Sequence, residues 1–472
     1  MRSGSDVEIT GISLSSQRIL PGDLYAALPG ARAHGVEFVT DALAAGAVAV
    51  LTDVGGAARL PAGTPALVVS DPRRELGGLS SHVYGDPASS LRMIGVTGTQ
   101  GKTTTTRLVG SGLEGAGARP AVIGTIGTRL AGIEVRSTLT TPEAPDLHGL
   151  FALMREREIV ACAMEVSSHA LVLGRVDGVV FDVAVFTNLG RDHLDFHADL
   201  EDYYLAKAAL FTPERSRLAL VNIDDEHGRR LRVETEVPVR TYAVSDRDAD
   251  WRAVDVELTS SGSRFVLQGP GDLVVEAGCP LPGDFNVANT VAAVAACAEA
   301  GFDAQRVASA IAAGDGVPGR LERIVAGQDF TVVVDYAHKP DAVAAALRTL
   351  RPLTDGRVIV VLGAGGDRDP GKRPLMGELA ARGADLLLVT DDNPRSEDPA
   401  VIRRELMRGA RGAGAAKEVG DRRSAIRLAL ALAAAGDVVL IAGKGHETGQ
   451  EIAGVVHPFD DREVVREELG AR

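Results

Sequence analysis

Leu91-Arg92-Met93-Ile94-Gly95-Val96-Thr97-Gly98-Thr99-Gln100-Gly101-Lys102-Thr103-Thr104 is an apolar strand that runs into a glycine-rich loop and then into a helix. Backbone N–H groups of such a loop can surround phosphate oxygens, Lys102 can reach the terminal phosphates, and the Thr103 hydroxyl can hold Mg²⁺. The glycines fall at 95, 98 and 101, and Val96 stands where the commonest G-x-x-x-x-G-K-T spacing has glycine. A glycine-rich turn without a ligand is the competing reading. The order Gly, Lys, Thr directly behind a strand disfavours it, and the stretch predicts ATP or GTP binding.

Outward from this loop the chain separates into three blocks. Residues 1–88 hold short strand-like runs at 47–51 and 66–69 and a helical stretch near 38–45. They end in Tyr84-Gly85-Asp86-Pro87-Ala88-Ser89-Ser90, which has the chemistry of a linker. The second block, 89–317, alternates strand-like runs at 159–164, 179–186 and 218–221 with helical ones and closes near an Ala-rich helix at 287–300. That alternation predicts a mostly parallel sheet covered by helices. The third block, 318–472, has strands at 330–334, 358–362, 386–390 and 438–442, each followed by a polar loop. Loops at strand C-termini are where open α/β sheets place ligands, so a second site is expected there.

The bulk numbers agree with a multidomain α/β protein. The 472 residues exceed one ordinary core; 45% are hydrophobic and 24% charged, and aromatics are only 4%. A net charge of −14 and scarce aromatics disfavour nucleic-acid and anionic-membrane partners. Cys162, Cys279 and Cys297 show no C-x-x-C spacing and read as small buried hydrophobes of a reduced compartment. Residues 1–10 contain no apolar signal core, and the apolar runs, such as 428–435, are too short to span a bilayer, so a cytoplasmic protein is expected.

Three constellations carry chemistry. Glu165 and His169 follow one strand, and Asp192, His193 and His197 follow another. Carboxylate and imidazole groups at neighbouring strand ends can ligate a metal beside phosphates; a surface acid or a satisfied core histidine is the alternative for each taken singly. Lys207 sits in a helix predicted over 198–211, on the apolar stripe of Leu200, Tyr203, Tyr204, Leu210 and Phe211. A buried lysine has a neutral amine population that can add CO₂ and become a carbamate. Snorkelling to solvent or pairing with a carboxylate is the other reading. Arg368, Asp392, Arg395 and Glu447 lie on loops expected to converge. Arginine forks with nearby acids suit a zwitterionic amino acid, or they form an inter-loop salt-bridge network.

Taken together, 95–104, Glu165-Val-Ser-Ser-His169, Thr187-Asn188, Asp192-His193, Lys207, Asn286-Val-Ala-Asn289, Gly319-Arg320-Leu-Glu322 and Asp335-Tyr-Ala-His338 resemble the Mur ligases of peptidoglycan precursor synthesis. The resemblance covers nearly the whole chain. Asp392-Asn393-Pro394-Arg395 is similar to the signature of members that add meso-diaminopimelate. The resemblance implies an N-terminal domain for the UDP-linked substrate, a central ATPase domain and a Rossmann-like C-terminal domain for the amino acid. It implies that Gly98, Thr99, Gln100, Gly101, Lys102, Thr103, Thr104, Asn286, Arg320 and Asp335 bind ATP, and that Thr103, Glu165 and His193 ligate Mg²⁺. Lys207 becomes the carbamylated lysine, with Lys102, Glu165 and His193 as its catalytic companions. Leu14, Ser16 and Arg32 are placed at the uridine nucleotide, and Thr140, Thr141, Ser167 and Arg175 at the muramoyl dipeptide. Arg368, Asp392, Asn393, Pro394, Arg395, Gly443 and Glu447 are placed at diaminopimelate. Ser15-Ser16-Gln17 stands where relatives usually carry Asp-Ser-Arg or Asp-Ser-Gln, and Leu173 where some carry a substrate-binding Gln.

The implied reaction is ATP-driven amide formation through an acyl phosphate, by a monomer acting on small molecules. The alternatives are a lysine-adding or folylpolyglutamate-synthase-like ligase, and a non-catalytic nucleotide-binding relative.

Overall fold

The structure, a computed structural model, describes residues 7–30, 33–130, 132–135, 137, 139–193, 196–259 and 261–470, together with the backbone of strand Arg2–Ser3. The chain divides into two compact units: residues 1–253 with 267–275 and 288–310, and residues 254–266 with 276–287 and 311–472.

The first unit contains two sheets. The N-terminal sheet runs, in spatial order, Arg2–Ser3, Ala66–Val68, Ala49–Thr52, Asp23–Ala26 and Gly11–Ser13, parallel except at the Arg2–Ser3 edge. The second sheet has a parallel centre in the order Ala219–Asn222, Val183–Phe186, Arg92–Thr97, Ala161–Glu165 and Pro120–Gly124. Val183–Phe186 is fully buried along its length, as expected of a parallel strand covered on both faces. Gly95 is required by close packing, since a Cβ there would lie 2.7 Å from the Phe181 ring. The parallel pairing of these strands and the helix Lys102–Gly115 behind Arg92–Thr97 follow the sequence reading.

Three features depart from it. The segment read as a linker is packed: Pro87–Ser90 forms a 3₁₀ turn, Pro87 and Ala88 are buried, and Arg155 donates to the carbonyls of Tyr84 and Gly85. The sheet is mostly parallel, as expected, but the sequence reading did not include the antiparallel strands Gly127–Leu130 and Ile133–Val135 beside Pro120–Gly124. Finally, Trp251–Thr259, Gly262–Gly269 and Leu273–Cys279 are strands with no counterpart in the sequence reading.

In the second unit the sheet runs Glu322–Ile324, Thr331–Asp335, Val438–Ala442, Val358–Leu362, Leu386–Val389 and Ala416–Glu418, parallel apart from the first strand. Its side chains alternate between two cores. Val333, Val358, Val360 and Leu440 face the helices Pro340–Leu350, Lys372–Gly383 and Pro399–Ala410. Val332, Val334, Ile359 and Ile441 face Arg422–Leu432 and Asp461–Gly470. Arg422 and Asp461, both fully buried, form a bidentate pair of 2.7 and 2.6 Å between those last two helices.

All three cysteines are free and buried. Among the described residues no helix is long and apolar enough to cross a membrane.

Candidate active-site residues

The phosphate loop is built by close approach. Gly98 has φ +144, and a Cβ there would lie 1.9 Å from the Thr187 hydroxyl. Gly101 caps the helix Lys102–Gly115 at φ +87, and its Cβ would meet Asn289 Oδ1 at 2.5 Å. Only glycine fits either position. The loop is strapped to the neighbouring strand end: Thr99 N donates to Asn188 O at 2.9 Å, Gln100 N to Asn188 Oδ1 at 3.0 Å, and the Thr187 hydroxyl to Gln100 O at 2.6 Å. Thr187, Asn188 and Asn289 stood only as motif letters in the sequence, and tertiary contact gives them this bracing role. Lys102 folds back onto the loop, donating to Gly98 O at 2.6 Å and Thr99 O at 3.0 Å. Thr103 and Thr104 are buried in the first helical turn.

Lys207 lies in the helix Leu200–Ala208, which starts later than predicted because Asp199 caps it through Asp202 N. It ends earlier because Leu210 and Phe211 close it with i→i−3 bonds, Leu210 N to Lys207 O and Phe211 N to Ala208 O. The stripe is as read for Tyr203, Tyr204, Leu210 and Phe211, whereas Leu200 is 38% exposed. Lys207 is 1% exposed, which removes the snorkelling alternative. Its Nζ donates to Gly98 O at 2.9 Å and lies 4.4 Å from the centre of the Tyr203 ring.

Glu165 ends the strand Ala161–Glu165 and is 1% exposed. Its carboxylate accepts from Thr125 N at 2.8 Å and from the Thr125 hydroxyl at 3.1 Å. Gly124 leaves it room, since a Cβ there would lie 2.2 Å from Oε1. Among the described residues its partners are neutral donors only, so a buried negative charge stands without a protein cation, an arrangement suited to a divalent ion. His193 adopts φ +53, lies 3.4 Å from Asp192 Oδ2 and stands edge-on to His169. Among the described residues no three His, Cys, Asp or Glu side chains converge on one point. The expected set of one hydroxyl, one carboxylate and one imidazole needs no such cage, because Mg²⁺ keeps several waters and phosphate oxygens.

Thr140, Thr141, Ser167 and Arg175 come together beside Glu165. The Thr141 hydroxyl donates to Glu165 O at 2.9 Å, and Ser167 N to the Thr141 hydroxyl at 3.2 Å. Arg175 donates to Thr141 O and pairs with Glu143 at 2.9 Å, and Thr140 contacts Thr125 at 3.1 Å. Leu14 packs against the N-terminal sheet and Ser16 opens a 3₁₀ turn, Ser16–Arg18. Arg32 lies outside the described residues.

In the second unit, the loops expected at the C-terminal ends of Thr331–Asp335, Val358–Leu362, Leu386–Val389 and Val438–Ala442 all emerge from one edge of the sheet. Asn393 Nδ2 donates to Glu447 Oε2 at 2.7 Å. Arg395 holds φ +53, donates to Gly366 O at 2.7 Å and lies 3.5 Å from Glu451. Arg368 is exposed. Among the described residues Asp392 Oδ2 is buried without a hydrogen-bond partner, and Gly443, at φ +118, keeps it clear, since a Cβ there would approach to 2.4 Å. Pro394 O leaves no room for a side chain at Gly366. The salt-bridge reading therefore holds for part of the set, since Arg395 and Glu447 each have a protein partner.

Asp335 accepts from Leu321 N at 2.7 Å; burial raises its carboxyl above the usual range, against the opposing pull of Arg320. The Arg320 guanidinium stacks over Tyr336 at 4.7 Å. Asn286 donates to Pro282 O at 2.8 Å near the start of the helix Asp284–Glu299.

Comparison with known proteins places this geometry in a family. Residues 8–84 match the Mur ligase family catalytic domain, 96–297 the Mur ligase middle domain and 319–445 the Mur ligase glutamate ligase domain. The chain is 56% identical to UDP-N-acetylmuramoyl-L-alanyl-D-glutamate–2,6-diaminopimelate ligase of Streptomyces coelicolor, over 98% of this chain and 92% of the relative. It is 44% identical to UDP-N-acetylmuramyl-tripeptide synthetase of Leifsonia xyli, over 98% and 91%. A solved UDP-N-acetylmuramoyl-L-alanyl-D-glutamate–2,6-diaminopimelate ligase superposes with TM-score 0.71 at 36% identity, covering 98% of this chain and 95% of that one. The strand–loop–helix at 92–115, the parallel sheets and the near-complete coverage lead to one conclusion: the chain belongs to the Mur ligase family.

Proposed function

We propose that this protein is an ATP- and Mg²⁺-dependent ligase that adds meso-diaminopimelate to UDP-MurNAc-L-Ala-D-Glu, forming an amide in peptidoglycan precursor synthesis. The observation that carries the reading is the 56% identity to a ligase of that name across 98% of the chain. The domain limits adopted are 1–88, 89–317 and 318–472, and the protein is read as a cytoplasmic monomer with small-molecule substrates.

A carboxylate is a poor electrophile because its leaving group would be oxide. In the proposed reaction the D-Glu carboxylate attacks the γ-phosphate of ATP, the bond to the β,γ-bridging oxygen breaks, ADP leaves and the carboxylate becomes an acyl phosphate. The neutral amine of diaminopimelate then adds to its carbonyl, the nitrogen loses a proton to solvent, and the tetrahedral intermediate collapses with loss of phosphate. Backbone N–H groups of Gly98–Gly101 and the Lys102 ammonium bind the phosphates and offset charge on the transferring group. Thr140, Thr141, Ser167 and Arg175 hold the muramoyl dipeptide beside Glu165, with Leu14, Ser16 and Arg32 toward the uridine. Thr103, Glu165 and His193 would hold Mg²⁺, which supplies charge neutralisation at the phosphates. A carbamate on Lys207 would add an anion to that set. Asn286, Arg320 and Asp335 are assigned to ATP by resemblance. Arg368 and Arg395 recognise a carboxylate of the amino acid, Asp392 and Glu447 an ammonium, and Asn393, Pro394 and Gly443 shape the pocket. The deciding experiment is ADP release with the UDP-dipeptide present, comparing meso-diaminopimelate, L-lysine and no amino acid. Product with diaminopimelate is expected, and equal coupling of lysine would overturn the reading.

A further inference from the structure

Lys444 is fully buried and has no role in the reading above. Its Nζ donates to Asn393 Oδ1 and to Glu447 Oε2, each at 3.1 Å. Asn393 Oδ1 also accepts from Glu451 N at 3.0 Å. With two donors fixed on that oxygen, the other terminus of the side chain must be the amide nitrogen. That nitrogen faces Glu447 Oε2 at 2.7 Å. Lys444, Asn393 and Glu447 thus close a three-membered ring. Both donors in it converge on Oε2, and Glu447 Oε1 is left without a partner among the described residues.

The backbone holds Lys444 in this place. Glu447 N donates to Lys444 O at 2.9 Å. Gly443 and Gly445 flank the lysine at φ +118 and +53. A Cβ on Gly443 would reach Asp392, and one on Gly445 would lie 2.7 Å from the Tyr336 side chain and 2.8 Å from Gly319 O. The loop is therefore tight on both sides of the lysine, and a buried ammonium with two oxygen acceptors is costly to displace.

We propose that Lys444 is a positioning residue for amino-acid binding: by clamping Asn393 and Glu447 Oε2 together it presents Glu447 Oε1 to the substrate ammonium without itself touching substrate. This rests on the amino-acid role given above to the second-unit loops. It goes beyond it by naming a residue that sets affinity through Glu447.

The test uses the purified full chain and steady-state rates. An amino-acid panel on the wild type first identifies the amino acid that is coupled, and that one is used throughout. For Lys444→Gln, and for Lys444→Met, KM for the amino acid is expected to rise about tenfold, the scale of one charge-assisted hydrogen bond. KM for ATP and for the UDP-dipeptide should stay within twofold. Because Lys444 acts through Glu447, the Lys444→Gln/Glu447→Gln double variant should have no higher amino-acid KM than Glu447→Gln alone. An unchanged amino-acid KM, a parallel rise in all three KM values, or additive effects in the double variant would each overturn the proposal. Coupling of lysine in preference to diaminopimelate would overturn the substrate assignment alone, and failure to couple any amino acid would overturn both.

Discussion

Lys102 and Lys207, 105 positions apart in the chain, donate to the same atom: their Nζ groups lie 2.6 and 2.9 Å from the carbonyl oxygen of Gly98. A protein with net charge −14 thereby brings two lysine amines to the phosphate loop. Were both protonated, they would repel each other across that one carbonyl. A carbamate on Lys207 would be an anion and would attract the Lys102 ammonium.

Lys207→Ala should lower turnover on the order of 10²-fold or more, the scale seen when a preorganised charge at the reacting phosphate is lost. Lys207→Glu should recover part of it by restoring an anion. Steady-state ADP release with folded variants, checked by circular dichroism, decides this, and wild-type turnover by Lys207→Ala would refute the carbamate role.

Glu165→Gln retains an acceptor for Thr125 N but removes the buried negative charge. The Mg²⁺ concentration for half-maximal activity should rise about tenfold or more, while the thermal midpoint holds or rises because a buried charge has gone. A magnesium titration that superimposes on the wild type would remove Glu165 from the metal set.

Arg395 has one guanidinium nitrogen on Gly366 O and another near Glu451, so only part of its fork is left for a ligand. Lysine lacks the distal carboxylate of diaminopimelate and would strand that part unpaired. A site of this kind can discriminate by ~10⁴. Arg395→Ala should lose most of the preference in kcat/KM, chiefly through diaminopimelate; an unaltered ratio would move recognition to other residues.

His338 has its imidazole held down to about 4 by burial, assisted by Lys339 and Lys372 and opposed by its hydrogen bond to Tyr336 O and by Asp392. In the unfolded chain an ordinary imidazole titrates near 6.5. As pH falls below that value the unfolded state takes up a proton that the folded state refuses. Stability present above about pH 6.5 is therefore lost progressively down to about pH 4, by up to about 3 kcal/mol. His338→Gln should flatten denaturant midpoints across this window. A slope identical to the wild type would show that His338 does not couple folding to protons.

The phosphate loop, the parallel strands and the buried stripe around Lys207 were legible in the sequence, because backbone chemistry and periodicity are local. A strand feeding Gly98, Gly101 and Lys102 has few other uses, and Tyr203, Tyr204 and Lys207 share one helical face whatever surrounds them. The strands Trp251–Thr259, Gly262–Gly269 and Leu273–Cys279 were missed although a period-2 signal was present, since Trp251 and Ala253, Phe265 and Leu267, and Val275 and Ala277 are buried two positions apart. The packing of 84–90 was not legible, because turn residues look the same in a free linker and in a docked one.

What only tertiary structure decided is which groups share an atom or a space. Thr187 fills the room beside Gly98, Asn289 that beside Gly101, and Lys444 closes a ring with two residues from separate loops. Such relations depend on sheet register and loop approach over fractions of an ångström. Residue type and spacing along the chain do not encode them one position at a time.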